Sequence, residues 1–158
     1  MNETEFDARV RALEGRLYHI AHAMLRSDAD CADAMQNAVF AAWRRLGTLK
    51  NADAFEPWLC RILVNTCRDA GRAAQRRKHE TPLELVTAAA QAQPRDLDLQ
   101  AALRALPEKY RLPVILHHAN GLSMAETAQA LRLPVTTAKG RVRQGMLRLR
   151  TILEEEKP

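Results

Sequence analysis

With 158 residues the chain has room for one or two small domains. Its net charge of +5 permits a polyanionic partner, while no apolar run approaches the roughly 20 residues of a membrane span, so membrane insertion is not expected. Hydrophobic residues make up 47% but aromatics only 4%, β-branched runs are few and most apolar spacing is helical, so an all-α fold is expected. The N-terminus, Met1-Asn-Glu-Thr-Glu-Phe-Asp7, is acidic and unlike a secretory signal. Cys31, Cys60 and Cys67 fit no zinc spacing, and an odd count argues against a disulfide framework. Buried, reduced thiols in the cytosol are the expected state.

A first helix is expected over 5–26, with Val10, Leu13, Leu17, Ile20 or Ala21, and Met24 as its stripe. His19 and His22 are three apart but have no third ligand nearby, so they read as ordinary helix residues. Ser27 or Asp28 can cap a second helix over about 29–46, cored by Met35, Ala38 or Val39, Ala42 and Leu46. Asp33, Gln36, Asn37, Phe40 and Arg44 fall on its other faces. Phe40 and Trp43 are large enough that packing against the first or third helix is expected. Gly47 should stop the helix. A polar loop, 47–53, follows, and Asp53 can cap a third helix with Glu56 as capping-box partner. Phe55, Trp58 or Leu59, and Ile62 begin its core face. Arg61, Asn65, Arg68 and Arg72 form a polar stripe along one side, which Arg76, Arg77 and Lys78 extend.

Residues 79–96 lose all periodicity and contain Pro82, Pro94 and an alanine run, although Leu83, Leu85 and Val86 could form one helical turn; the stretch reads as a flexible tether. A helix from about Asp96 carries Leu97, Leu99, Leu103 and Leu106 up to Pro107. The next bears Val114, Ile115 and Leu116 and ends at Asn120-Gly121. His117 and His118, adjacent on a helix, should diverge by about 100°. Ser123 and Glu126 make a capping box, and Ala125, Ala128 and Leu131 follow as a narrow buried stripe. Pro134 suits the first position of a last helix with Val135, Ala138, Val142, Met146, Leu149 and Leu153 on one face. The other face carries Thr136, Thr137, Lys139, Arg141, Arg143 and Gln144. Between Leu131 and Ile152 there are six basic residues and no acid.

A basic helix face is often only a solvated surface. Here it follows a capped short helix and a proline-initiated turn, which is how a DNA-reading helix-turn-helix looks. Phosphates call for Lys and Arg, while base edges suit Thr, Gln and Arg near the helix start. Thr137 and Lys139 are candidates for base reading. Arg141 and Arg143 are candidates for phosphate, although either could take a guanine. The loop with Lys50, Asn51 and Asp53, together with the Arg61, Asn65, Arg68 and Arg72 stripe, has the amides, rings and cations that single-stranded DNA needs.

Four segments, in order, resemble the extracytoplasmic-function (ECF) group of sigma-70-type factors. Asp33-Ala-Met-Gln36-Asn-Ala-Val-Phe40-Ala-Ala-Trp43 is similar to the segment that binds the clamp helices of RNA polymerase. Asn51 to Asn65 resembles the promoter-melting segment at the −10 element. Leu106-Pro107-Glu108 to Leu116 resembles the opening of the family's fourth region, and Gly121 to Arg141 its −35-reading helix-turn-helix. Departures are Asn37 for a usual acid, Pro57 for a helix former, Thr136 for glycine, Ala138 for valine and Gly140 for serine.

The resemblance implies two small helical domains, 5–77 for polymerase and the −10 element and 97–154 for the −35 element, joined by a linker, 78–96. It implies that Asp33, Gln36, Asn37 and Phe40 meet core RNA polymerase, that promoter DNA lies on the loop, the third helix and the last helix, and that an anti-sigma factor is a partner. No cofactor, metal or catalytic set is expected: the histidines are scattered, and neither a phosphate loop nor a Ser/His/Asp set is evident. A cytoplasmic, non-enzymatic initiation factor is the reading. The rival is a stand-alone helix-turn-helix regulator binding duplex operators as a dimer, which would leave residues 10–77 without a role.

Overall fold

Helices account for nearly all the described residues, 1–80 and 94–155, of a computed structural model; for 78–80 and 94–97 only the backbone is described. The first three are α1 (Glu3–Met24), α2 (Asp28–Arg44) and α3 (Phe55–Glu80). The remaining four are α4 (Pro94–Ala105), α5 (Glu108–Val114), α6 (Met124–Leu131) and α7 (Val135–Glu155). No strand occurs among the described residues, so the all-α expectation holds. Most of the expected tether, including Pro82, Leu83, Leu85 and Val86, lies outside the described residues.

Local chemistry accounts for most helix ends. Asn2 Oδ1 accepts from the Glu5 amide at 2.8 Å, and Ser27 Oγ from the Asp30 amide at 3.0 Å, so α1 and α2 both start on side-chain caps. Gly47 does not stop α2 as expected. The helix ends at Arg44, and Gly47 sits inside a 3-10 turn, Leu46–Thr48, without the positive φ of a glycine cap. Asp53 does not cap α3 either. Asn51 Oδ1 accepts from the Asp53 amide at 3.0 Å and caps a second 3-10 turn, Ala52–Ala54, which runs directly into α3. Glu56, the expected box partner, instead pairs with Arg16 at 2.7 Å.

The end of α5 departs from the regular pattern. Ile115–Ala119 is wound as a π-turn that the Asn120 amide closes onto Ile115 O at 2.9 Å, and Gly121 follows at φ +75. The wider turn rotates successive residues less than an α-helix does. The rings of His117 and His118, expected to diverge, meet edge to face at 4.8 Å.

One buried cluster runs through both halves. Leu17, Ile20 and Ala21 of α1, Cys31, Ala34, Ala38 and Ala42 of α2, and Leu59, Leu63 and Val64 of α3 share it with Leu112, Ile115, Leu116, Leu122, Ala130 and Leu131. Helix α6 packs on α3 as well as on α7. Ala125 lies outside the contact and is exposed, contrary to the expected stripe; Thr127 and Ala130, adjacent in the turn, are buried instead. A smaller cluster, Ala102, Leu106 and Leu149, joins α4 to α7. Val135, expected on the core face of α7, is 40% exposed at the helix start.

Arg111 binds the two halves by a route that patterning does not show. Its guanidinium donates to Leu103 O at 3.0 Å, Leu106 O at 2.7 Å, Arg104 O at 3.2 Å and, from α5 to the end of α1, to Ala23 O. A cation at two helix C-termini satisfies orphan carbonyls and meets the negative ends of two dipoles. The three cysteines are buried free thiols, as expected. Burial pushes Cys31 up to about 11 and Cys60 and Cys67 up to about 12, so none is a thiolate near neutrality.

Candidate nucleic-acid interface

The capping box that opens α6 is present in both directions, Glu126 N to Ser123 Oγ at 3.0 Å and Ser123 N to Glu126 Oε1 at 2.9 Å. The helix closes with Leu133 N donating to Ala128 O at 2.9 Å and Arg132 N to Gln129 O at 3.3 Å, the paired bonds of a Schellman motif. Arg132 takes the left-handed position usually given to glycine, at φ 57. This tight corner turns the chain into α7, and Pro134 O accepts the Ala138 amide at 3.0 Å.

The rotation of α7 is set by what it buries. Ala138, Val142, Gly145 and Leu149 face inward. A Cβ on Gly145 would stand 2.6 Å from Val114 Cγ2 and 3.1 Å from Tyr110 O, so glycine is what lets α7 lie directly on α5. Arg148 is drawn over the Tyr110 ring at 4.5 Å. Outward stand Thr136, Lys139, Arg143 and Gln144, all exposed, with Thr137 and Arg141 half-buried at the edges. Gly140 lies on this open side with nothing near its missing Cβ. All six expected DNA contacts therefore lie along one accessible side of α7, and no acid follows Glu126 until Glu154.

A second region lies between the 45–54 loop and α3. It is a cleft of about 470 Å³ that brings together Lys50, Asn51, Arg61 and Asn65, with Trp58 beside them. The loop is braced from outside by Arg9, which donates to Ala52 O at 2.8 Å, and from within by Thr48 Oγ1, which donates to Arg45 O at 2.7 Å. Asp53 does not line the cleft. Arg68 and Arg72 continue the stripe beyond it, with Arg68 3.5 Å from Glu108 and Arg72 3.6 Å from Asp69. Arg45 and Thr48, which the sequence did not single out, also line the cleft. The opposite wall comes from the second half: Gln129 and Arg132 of the α6 corner.

A third feature is a groove of about 760 Å³ between α1 and α2. Phe6, Val10, Leu17, Met35, Val39 and Trp43 give it an apolar lining. Trp43 packs on Phe6 at 5.2 Å, as expected of a large ring against the first helix. Phe40 does not pack inward: it is 63% exposed at the groove rim, with Arg44 over its ring at 5.3 Å. Gln36 lines the same rim, while Asp33 and Asn37 are exposed elsewhere on α2. Sequence patterning missed the share of α1, whose Asp7, Arg11 and Glu14 complete the rim.

The chain matches two family models, Sigma-70 region 2 over residues 9–77 and Sigma-70 region 4 over residues 96–149. It is 34% identical over 152 residues to the ECF RNA polymerase sigma factor SigM of Mycobacterium tuberculosis, covering 94% of this chain and 76% of that protein. This chain belongs to the ECF sigma factors. The sigma factor is also 30% identical over 152 residues to the RNA polymerase sigma-E factor of Streptomyces coelicolor, covering 92% of this chain and 84% of the relative. Among solved structures it is similar in fold to CnrH in complex with the cytosolic domain of CnrY, with a TM-score of 0.75 at 24% identity over 99% of this chain and 92% of the other. It is likewise similar to the sigma factor RpoE in complex with the anti-sigma factor NepR from Bartonella quintana, with a TM-score of 0.78 at 24% identity over 97% and 99%. The region 2 match takes in most of α1, all of α2 and most of α3, and the region 4 match runs from most of α4 to most of α7. In this sigma factor the groove thus belongs to region 2, the cleft to region 2 with a far wall from region 4, and the outward face of α7 to region 4, and the first half has a role that a stand-alone regulator would not give it.

Proposed function

We propose that this sigma factor divides promoter recognition among the three surfaces. The rim of the α1–α2 groove, with Gln36 and Phe40, and the exposed Asp33 and Asn37 of α2 together hold core RNA polymerase. The loop with Lys50 and Asn51 and the stripe of Arg61, Asn65, Arg68 and Arg72 hold the unwound −10 strand: a cleft with an indole, amides and cations suits an unpaired base and its phosphates. Asp53 acts there by shaping the loop, its amide held by Asn51. The outward face of α7 reads the −35 duplex. The chain acts in the cytoplasm and has no catalysis of its own. Units 5–77 and 97–154, linked through 78–96, bind the two promoter elements. An anti-sigma chain is a further partner, by likeness to the sigma factor RpoE, which was solved in complex with the anti-sigma factor NepR.

The observation that carries this reading is the placement of all six polar residues of α7 along its accessible side, while Ala138, Val142, Gly145 and Leu149 anchor it. The test is co-purification with core polymerase followed by run-off transcription. Asp33→Ala with Gln36→Ala is expected to weaken core binding and leave the melting temperature near wild type, because exposed substitutions usually change stability by no more than about 0.5 kcal/mol. Undiminished core affinity in a titration would move the contact away from this face of α2.

A further inference from the structure

Two glycines interrupt α7, and only one of them has a reason inside the fold. Gly145 is what lets α7 lie on α5. Gly140 has no heavy atom within 4 Å of where its Cβ would stand, and its φ is not positive, so neither packing nor backbone conformation among the described residues calls for glycine there. Glycine in a helix interior is nonetheless less stable than alanine. Its place on the helix is specific. At about 100° per residue, the inward-facing Ala138, Val142, Gly145 and Leu149 all lie within about 40° of the point opposite Gly140. Counted the same way, Thr136 and Thr137 on the turn before and Arg143 and Gln144 on the turn after flank it on both sides, within about 60°. Gly140 is therefore the crown of the outward face: bare backbone at the centre of the expected DNA contacts.

We propose that Gly140 is a specificity-determining notch, whose missing Cβ seats the C5-methyl group of a thymine at one position of the −35 element. This rests on the reading of α7 as the −35 reader. A helix lying in the major groove comes nearest to the base pairs along its crown. Each base pair presents donors and acceptors there, and thymine adds the only methyl group. Polar side chains answer the donors and acceptors, whereas a methyl needs a space of its own size with apolar walls. Gly140 supplies the space. The methyl groups of Thr136 and Thr137 and the methylenes of Arg143 and Gln144 supply the walls. Alanine or serine at this position sets a Cβ where the thymine methyl sits. The same substitution that strengthens the helix thus spoils one base contact.

The experiment uses reconstituted holoenzyme and double-stranded promoter fragments carrying the −35 element that the wild type prefers in a library. Deoxyuridine replaces each −35 thymine in turn, on either strand, which removes the methyl and keeps the pairing. Affinities are compared for wild type, Gly140→Ala and Gly140→Ser, and melting temperatures of the free chains check that each variant folds. At one position the wild type is expected to bind the uracil fragment about fourfold more weakly, the worth of one buried methyl group. Gly140→Ala is expected to bind the thymine fragment about tenfold more weakly than wild type, as an overfilled contact does, and to regain most of that loss on the uracil fragment. Gly140→Ser should follow Gly140→Ala although serine is the poorer helix former, which assigns the effect to the Cβ and not to a stiffer helix. Penalties that are equal on thymine and uracil fragments at every position overturn the proposal. So does a Gly140→Ala holoenzyme that binds every fragment as the wild type does. Alanine variants of Thr137, Lys139, Arg141 and Arg143 in the same assay then show what failed. If they still change −35 choice or salt dependence, the reading of α7 stands without the notch; if none does, that reading falls and takes the proposal with it.

Discussion

At the residue scale, two side chains sit where their chemistry is at odds with the site. Arg132 holds a left-handed backbone, a conformation that costs a residue with a Cβ roughly 1–2 kcal/mol. Arg132→Gly is therefore expected to raise unfolding stability by about 0.5–1 kcal/mol, the relief being offset in part by glycine's freer unfolded chain. Urea denaturation measures this, and a destabilised variant would mean that the guanidinium itself holds the corner. His22 is the second case. Its Nε2 lies 3.1 Å from Asp28 Oδ1 but off the line of a hydrogen bond, and burial holds its pKa below the usual 6.5 in spite of that carboxylate. Arg104 and His19 act in the same direction as burial. The folded state therefore binds fewer protons than the unfolded state in this range. Its stability should be intact above about pH 6.5 and fall as pH drops below that value towards the depressed folded pKa. His22→Gln should flatten this slope in melts taken across the window, and an unchanged slope would assign it to other groups.

At the scale of elements, two glycines of α7 separate packing from propensity. Gly140 faces open space, so Gly140→Ala is expected to stabilise the helix by about 1 kcal/mol. Gly145→Ala gains the same propensity but drives a Cβ against Val114 and the Tyr110 carbonyl, with a net loss of about 1–2 kcal/mol expected from overpacking. Thermal melts of the two variants should move in opposite directions; a shift in the same direction would show that α7 can slide on α5. The pair also marks what was legible in the residues. Gly140 stands out in the sequence where the family has a serine, while nothing in the sequence marks Gly145, because its reason lies on a different helix. The capping box at Ser123 and Glu126 and the cap at Ser27 are chemistry between neighbours in sequence, so patterning found them. Asp53 and Glu56 had the same pattern but lost it to Asn51 and to Arg16, forty residues away in the case of the ion pair. The π-turn, the Arg111 junction and the α1 side of the groove depend on contacts that periodicity cannot express.

At the scale of the whole molecule, a two-part promoter suits two DNA-binding units on one chain. Each can bind modestly, and their linkage raises the effective concentration of the second once the first is bound. Patterning read the two units correctly as helical but did not read the core through which they meet. That core joins the first unit's α1 and α3 to the second unit's α5 and α6. Whether α7 chooses the promoter is read by transcription with reconstituted holoenzyme from a library of promoters varied at the −35 element. Wild type is compared with alanine variants of Thr136, Thr137, Lys139, Arg141, Arg143 and Gln144. Loss of a base reader, Thr137 or Lys139, is expected to relax choice at one −35 position by about 1–3 kcal/mol. Loss of a phosphate-holding Arg141 or Arg143 should weaken all promoters alike and lower the salt slope by about 1. If all six variants keep wild-type promoter choice and salt dependence, α7 is not the reader and its positive side is only a solvated surface.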